Sequence, residues 1–124
     1  MPPSFTISPE RRVVRLVYRG EVTFPEWKAT MDAIARDPLF RPGFAFLIDR
    51  RSSPAPSAAF VEGVVAYLAS NELAIGVIPK TAMVVSDPAS FGMARMVQGL
   101  SGSPNMDVFT DIHEAERWLD PEAA

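Results

Sequence analysis

The chain has no cysteine and one histidine among its 124 residues. Without thiols, disulfides, thiolate nucleophiles and cysteine-based zinc sites are excluded. His113 has no second histidine or cysteine with which to share a metal. It falls in the first turn of a predicted final helix, where a surface position is the simplest reading, and no Ser–His–Asp constellation can be argued around it. A glycine-rich phosphate loop of the G-x-G-x-x-G kind is missing too. These absences leave no catalytic residues, no metal site and no cofactor to name.

Long apolar runs are also missing. The longest mostly apolar stretch, Ala58–Ala69, is too short to span a bilayer and contains Glu62. The opening MPPSFTISPERR lacks the apolar centre of a signal peptide. Together with the lack of cysteine, this suits a cytoplasmic protein that is not transmembrane. Excess positive charge is absent: the net charge of −3 gives nucleic acid no electrostatic reason to bind. The charge is uneven, however. Residues 1–51 carry nine Lys/Arg against six Asp/Glu, whereas residues 107–124 carry one Arg against six Asp/Glu. A solvated surface accounts for most such asymmetry, and a basic face near Arg50 is the functional alternative.

What is present reads as one domain over 1–124, structured from about 5 to 119 with a frayed tail at 120–124. Phe5–Ser8 and Arg12–Arg19 are two strands joined by a turn signal, which predicts an antiparallel hairpin. Thr23 and Glu26 form a capping box that opens a helix running to about Arg36. Phe44–Asp49 is apolar almost throughout, the pattern of a central strand covered on both faces. Ser57 is the N-cap of a second helix whose only charge is Glu62, which predicts cover from more than the sheet. Asn71–Pro79 is a loop, and Lys80–Ser86 another strand. Asp87 and Pro88 open a third helix with Ala89, Met93, Met96, Val97 and Leu100 on its inner stripe. Gly92 and Gly99 lie on nearly one line of that helix, where a neighbouring backbone has room to approach. Ser101–Pro104 is a turn, Met106–Thr110 the last strand, and Asp111 with Glu114 a second capping box. The order is β-β-α-β-α-β-α-β-α: an α/β fold, with a mixed sheet of an N-terminal hairpin followed by parallel strands with helices on the faces.

This order, with the phrases YRGEVTFPEWKATMDAI, FLIDRR, FGMARMVQGL and VFTDIHEAERWL, resembles the SpoIIAA-like branch of the STAS domain superfamily from about Phe5 to Leu119. The resemblance implies a bacterial, non-enzymatic regulatory module. In the anti-sigma-factor antagonists of that superfamily, a serine at the start of the helix after the third strand is phosphorylated, and that strand ends in aspartate, matched here by Asp49. The loop RRSSPAPSAA departs from the antagonists' Asp-Ser-Ser-Gly type of phrase, so phosphorylation does not carry over to a specific serine. The wider superfamily also includes domains that hold lipid-like apolar molecules.

The candidate sites follow from the stretch Gly43–Ser70, because ligands of open α/β sheets bind beyond the carboxyl ends of the strands. Asp49 and Arg50 sit there, Asp49 with the blander role of capping loop amides. Ser52, Ser53 and Ser57 are candidate phosphorylation sites; an N-cap and two loop serines are the plainer reading. Phe60, Tyr67, Phe91, Met93 and Met96 are expected to line an apolar groove or homodimer surface between the second and third helices, although Met and aromatic residues at helical spacing are usually core. The leading expectation is a non-enzymatic module holding a lipid-like ligand or a partner protein in that groove. A phospho-regulated switch centred on Ser52–Ser57 is the alternative. A small enzyme using Asp49 and an arginine ranks last, for want of a nucleophile–base pair.

Overall fold

The computed structural model describes residues 1–70, 79–101 and 105–120. The chain runs β1 (Ser4–Ser8), β2 (Val13–Arg19), α1 (Phe24–Arg36), β3 (Ala45–Ser52), α2 (Ala58–Ala69), β4 (Thr81–Val84), α3 (Pro88–Ser101), β5 (Met106–Phe109) and α4 (Ile112–Leu119). The strands form one sheet in the order β1-β2-β3-β4-β5; β1 and β2 are antiparallel, and each later pair is parallel. This is the α/β fold and the strand–helix order read from the sequence. The expected loop at Asn71–Pro79, the turn at Ser101–Pro104 and the frayed tail fall largely on residues 71–78, 102–104 and 121–124, which lie outside the described residues.

Strand alternation sorts the side chains into two layers. Val14, Leu16 and Tyr18 of β2 and Phe46 and Ile48 of β3 pack against Trp27, Met31 and Ile34 of α1 and Phe60, Val61 and Val64 of α2. α3 lies beside α2 on that face, and its Ala94 packs with Val85 and Val108. On the opposite face Leu47, Ala82 and Val84 meet Ala115 of α4, with Ile112, Trp118 and Leu119 around it. Three helices therefore cover one face and α4 the other. Each fully buried Val, Leu or Ile contributes roughly 1.5–3 kcal/mol, so the two layers carry the fold.

The caps form where the sequence puts them. The Thr23 hydroxyl accepts from the Glu26 N–H, and the Glu26 carboxylate accepts from the Thr23 N–H at 2.9 Å. Ser57 Oγ accepts from the Phe60 N–H at 3.1 Å. Asp87 accepts from both the N–H and the hydroxyl of Ser90. Asp111 accepts from the N–H groups of His113 and Glu114.

Three expectations need correction. First, β3 does not end at Asp49 but continues to Ser52, so Arg50 and Arg51 are strand residues with side chains on opposite faces. Second, the inner stripe of α3 is out of phase with the one expected: Ser90 and Ala94 are buried, while Ala89 and Met96 are exposed. Small side chains let the helix sit close to the sheet, and a polar residue such as Ser90 does not register in an apolar periodicity. Val97 and Leu100 lie outside the residues whose side chains are described. Third, the close helix approach is at Gly63, where an added Cβ would lie 2.6 Å from Cγ of Phe24; among the described residues nothing comes within 4 Å of one at Gly92 or Gly99.

Candidate functional site

The site grows from an irregularity between β2 and β3. Val17 pairs with Asp49, but the next pair is Arg19 with Ser52. One residue of β2, Tyr18, therefore opposes two of β3, Arg50 and Arg51. Such a bulge re-aims side chains at a strand end. Here it sets Tyr18 beside Arg50, both on the face covered by the three helices. Gly20, at φ +66°, turns the chain immediately afterwards, and its N–H donates to the Ser52 carbonyl at 3.1 Å.

Arg50 is only 5% exposed. Its guanidinium carbon lies 4.9 Å from the ring centre of Tyr18 and 5.5 Å from that of Phe60. One terminal nitrogen, Nη2, donates to the Pro54 carbonyl at 3.2 Å and reaches Ser53 Oγ at 3.4 Å. Ser53 Oγ in turn donates to the Gly20 carbonyl at 2.8 Å. Nε of Arg50 is fully buried, and among the described residues it has no hydrogen-bond partner and no carboxylate forms an ion pair with the group. Burial pulls its pKa down, opposed by the Tyr18 hydroxyl and the Asp87 carboxylate. An arginine starts from so high a value that it stays charged. Burial pushes the Tyr18 phenol up, so it stays neutral at physiological pH.

This cation borders a partly open cavity of ≈ 70 Å³. Phe46, Ile48 and Met83 floor it from the sheet; Trp27 and Met31 of α1, Phe60 and Val64 of α2, and Ser90, Met93 and Ala94 of α3 wall it. The walls are chiefly carbon. Thr81 and Ser90 have their hydroxyls engaged, Thr81 donating to Pro79 O and Ser90 to Asp87. A mostly apolar pocket with a few convergent polar groups is the usual form of a small-molecule site.

Asp49 belongs to the other face. Arg51 grips it with Nε at 2.9 Å and Nη2 at 2.8 Å, and the Arg51 N–H donates to it at 3.1 Å. The Arg51 hydrogen bonds hold its carboxyl below the usual carboxylate range. Asp49 and Arg50 thus do not form one site, and Arg50, being buried, makes no basic face. Among the serines, Ser53 is buried while Ser52 and Ser57 are exposed.

The expected groove residues divide. A groove of ≈ 410 Å³ does run between α2 and α3, lined by Ala58, Val61, Glu62, Val65, Ala66, Met93 and Met96. Of the five expected residues only Met93 and Met96 line it. Phe60 turns inward to the cavity. Tyr67 faces α1, its ring edge-on to Trp27 at 5.5 Å. Phe91 packs against Val85, Ala94 and Val108, with Arg95 over its ring at 5.4 Å. The shift in α3 phase explains Phe91: the sheet-facing line passes through Ser90 and Ala94, bringing Phe91 down beside it.

No known family model matches the chain, and no curated protein matches it in sequence. Among the described residues, no cluster of three or more His, Cys, Asp or Glu is placed to hold a metal ion, and no helix is long and apolar enough to cross a membrane.

Sequence reasoning missed Tyr18 and Ser90 as site residues. A signal for Tyr18 existed: it continues the Val14–Leu16 alternation to the strand's carboxyl end, where sites form. Ser90 carried none beyond its place three residues after an N-cap aspartate.

Proposed function

We propose that this chain is a non-enzymatic, STAS-like regulatory module that holds a small, largely apolar ligand in the cavity beneath α1, α2 and α3. The observation that carries this reading is the cavity itself: largely apolar walls from four strands and three helices, running from Phe46, Thr81 and Met106 at the amino ends of β3, β4 and β5 to Arg50 near the carboxyl end of β3. The strand–helix order fits the STAS resemblance, and a cytoplasmic setting belongs to the same reading. The ligand must be smaller than a lipid. At ≈ 70 Å³ the cavity is about half the size of one of ~150 Å³ that takes up benzene, so a longer chain would have to leave through the mouth.

Native mass spectrometry of protein purified without denaturation tests this. A bound small mass that is lost on unfolding supports the reading. Protein that remains free of ligand after exposure to small apolar compounds contradicts it.

A second reading, a phospho-regulated switch, rests on Ser57, exposed at the N-terminus of α2 where the helix dipole favours an added phosphate. Ser53, buried and bonded to Gly20, is not available to a kinase in the folded protein. Phosphate incorporation that survives Ser57→Ala combined with Ser52→Ala would exclude this switch.

A further inference from the structure

We infer that β1 is the seat of a homodimer, in which two copies of the chain pair their β1 strands antiparallel about a two-fold axis at Thr6. The inference is independent of the cavity.

The sheet ends on two edge strands, β1 and β5, and among the described residues only β5 is closed. Thr81 and Val85 donate to the carbonyls of Asn105 and Phe109, so alternation along β5 turns the backbone groups of Met106 and Val108 outward. Both are occupied: the Gln98 side chain donates to the Met106 carbonyl, and the Val108 N–H donates to the Asp107 carboxylate. Along β1, no described group bonds the backbone on the side away from β2. An open edge of this kind is a template for another strand.

The residues of β1 fit a second β1. Pro3 and Pro9 stand at its two ends; lacking N–H groups, they limit the ladder to Ser4–Ser8. Pairing centred on Thr6 sets Thr6 against its own copy, Phe5 against Ile7 and Ser4 against Ser8. Thr–Thr and aromatic–β-branched pairs are favourable cross-strand neighbours. Phe5 and Ile7 are both half-buried against the core under α1. Beside Phe5 runs a shallow trough of ≈ 500 Å³ walled by Pro25, Ala29 and Ala33 of α1, whose small side chains let the α1 of a second copy approach. A stable interface buries at least about 1,200 Å², more than five paired residues supply, so these trough walls meet across the axis as well.

Charge fixes the direction of pairing. At one end of β1, Nη1 of Arg19 donates to Ser4 Oγ at 3.5 Å; at the other, Ser8 Oγ donates to the Glu10 carboxylate at 3.3 Å. Both charged side chains are exposed, and neither forms an ion pair with a described residue. Antiparallel pairing brings Ser4 to Ser8 of the second copy, and with them Arg19 to Glu10, once at each end. Parallel pairing would set Arg19 beside Arg19 and Glu10 beside Glu10. A two-fold interface needs a patch that is complementary to itself, and this edge is one.

The test is sedimentation equilibrium of the full chain at concentrations up to about 1 mM, with charge-reversal and cysteine variants. The wild type is expected to reach twice the monomer mass. Arg19→Glu and Glu10→Arg should each weaken the dimer at least tenfold, and the two combined should restore it. The chain has no cysteine, so Thr6→Cys should give a disulfide-linked dimer on mild oxidation. Met96→Cys, on the groove between α2 and α3, should not. A monomer across the whole concentration range overturns the proposal. So does a dimer indifferent to both reversals, or one that cross-links through Met96→Cys and not through Thr6→Cys; either assigns the contact to another face. If Thr6→Cys does not fold, the exposed charge swap decides.

Discussion

Asp49 and Arg50 are adjacent in sequence, yet the sheet separates their side chains. Asp49 lies on the α4 face in a bidentate pair with Arg51. Arg50 lies under the three helices, its guanidinium over the rings of Tyr18 and Phe60. A strand that carries opposite charges on opposite faces puts its satisfied pair near water and its unpaired cation inside.

The first prediction concerns the cost of the buried cation. Desolvating an ion costs several kcal/mol, which two aromatic contacts of about 0.5–2 kcal/mol each only partly offset. Arg50→Met should therefore leave the ligand-free protein at least as stable as wild type, with a gain of up to about 3 kcal/mol. Arg50→Lys should be destabilising, because an ammonium keeps the charge without the planar stack. Urea unfolding measures both; a loss of more than about 2 kcal/mol in Arg50→Met would show that Arg50 is a structural strut.

The second concerns glycine. Gly63→Ala places a methyl 2.6 Å from Cγ of Phe24, whose ring is held against Trp27. It should cost about 1–3 kcal/mol. Gly92→Ala meets nothing within 4 Å and should gain about 0.5–1 kcal/mol from helix propensity. Thermal unfolding of the two single variants should shift in opposite directions.

The fold was legible because its signals are local. Thr23 with Glu26, Ser57, Asp87 and Asp111 mark helix starts with their own side chains, and FAFLID marks a strand covered on both faces. The site was legible only in part. Asp49 and Arg50 read as one cluster at a strand end because the apolar run stops at Asp49; the bulge that carries β3 on to Ser52 is a pairing between strands and leaves no mark in either segment. Phe91 reads as a groove residue because the apolar periodicity of α3 outweighs a small polar residue, Ser90, that is buried, whereas Tyr67 flanks the apolar stripe of α2 on the side that meets α1. Helix phase near small residues is set by how close the sheet lies, which is tertiary information.

A third prediction separates the loop serines. Ser57→Ala removes the cap of α2 and should cost about 1 kcal/mol. Ser53→Ala leaves the Gly20 carbonyl without its side-chain donor and should cost about 1–3 kcal/mol. Ser52→Ala, exposed, should stay within about 0.5 kcal/mol of wild type. Chemical denaturation of the three variants checks the ranking; equal effects would contradict the burial difference.

The fourth concerns acid. Arg51 depresses the pKa of Asp49, and backbone N–H groups depress those of Glu26, Asp87 and Asp111. A carboxylate with a lowered folded pKa binds protons more readily when unfolded. Its stabilisation is therefore complete above the unfolded range of about 3.9–4.3 and is lost as pH falls through the lower folded value. The melting temperature should be flat with respect to these groups above about pH 5 and fall below about pH 4. Asp49→Asn should flatten part of that acid limb, and an unchanged slope would remove Asp49 from the account.

The most direct test of the central claim is methyl NMR of the protein under xenon, which enters dry apolar cavities. A ligand cavity beneath the three helices predicts saturable shifts at Val64, Met83 and Met93 together, with Met96 on the outer groove unmoved. Shifts confined to Met96 and Ala58, or no saturable shift at Val64 and Met83, would contradict it.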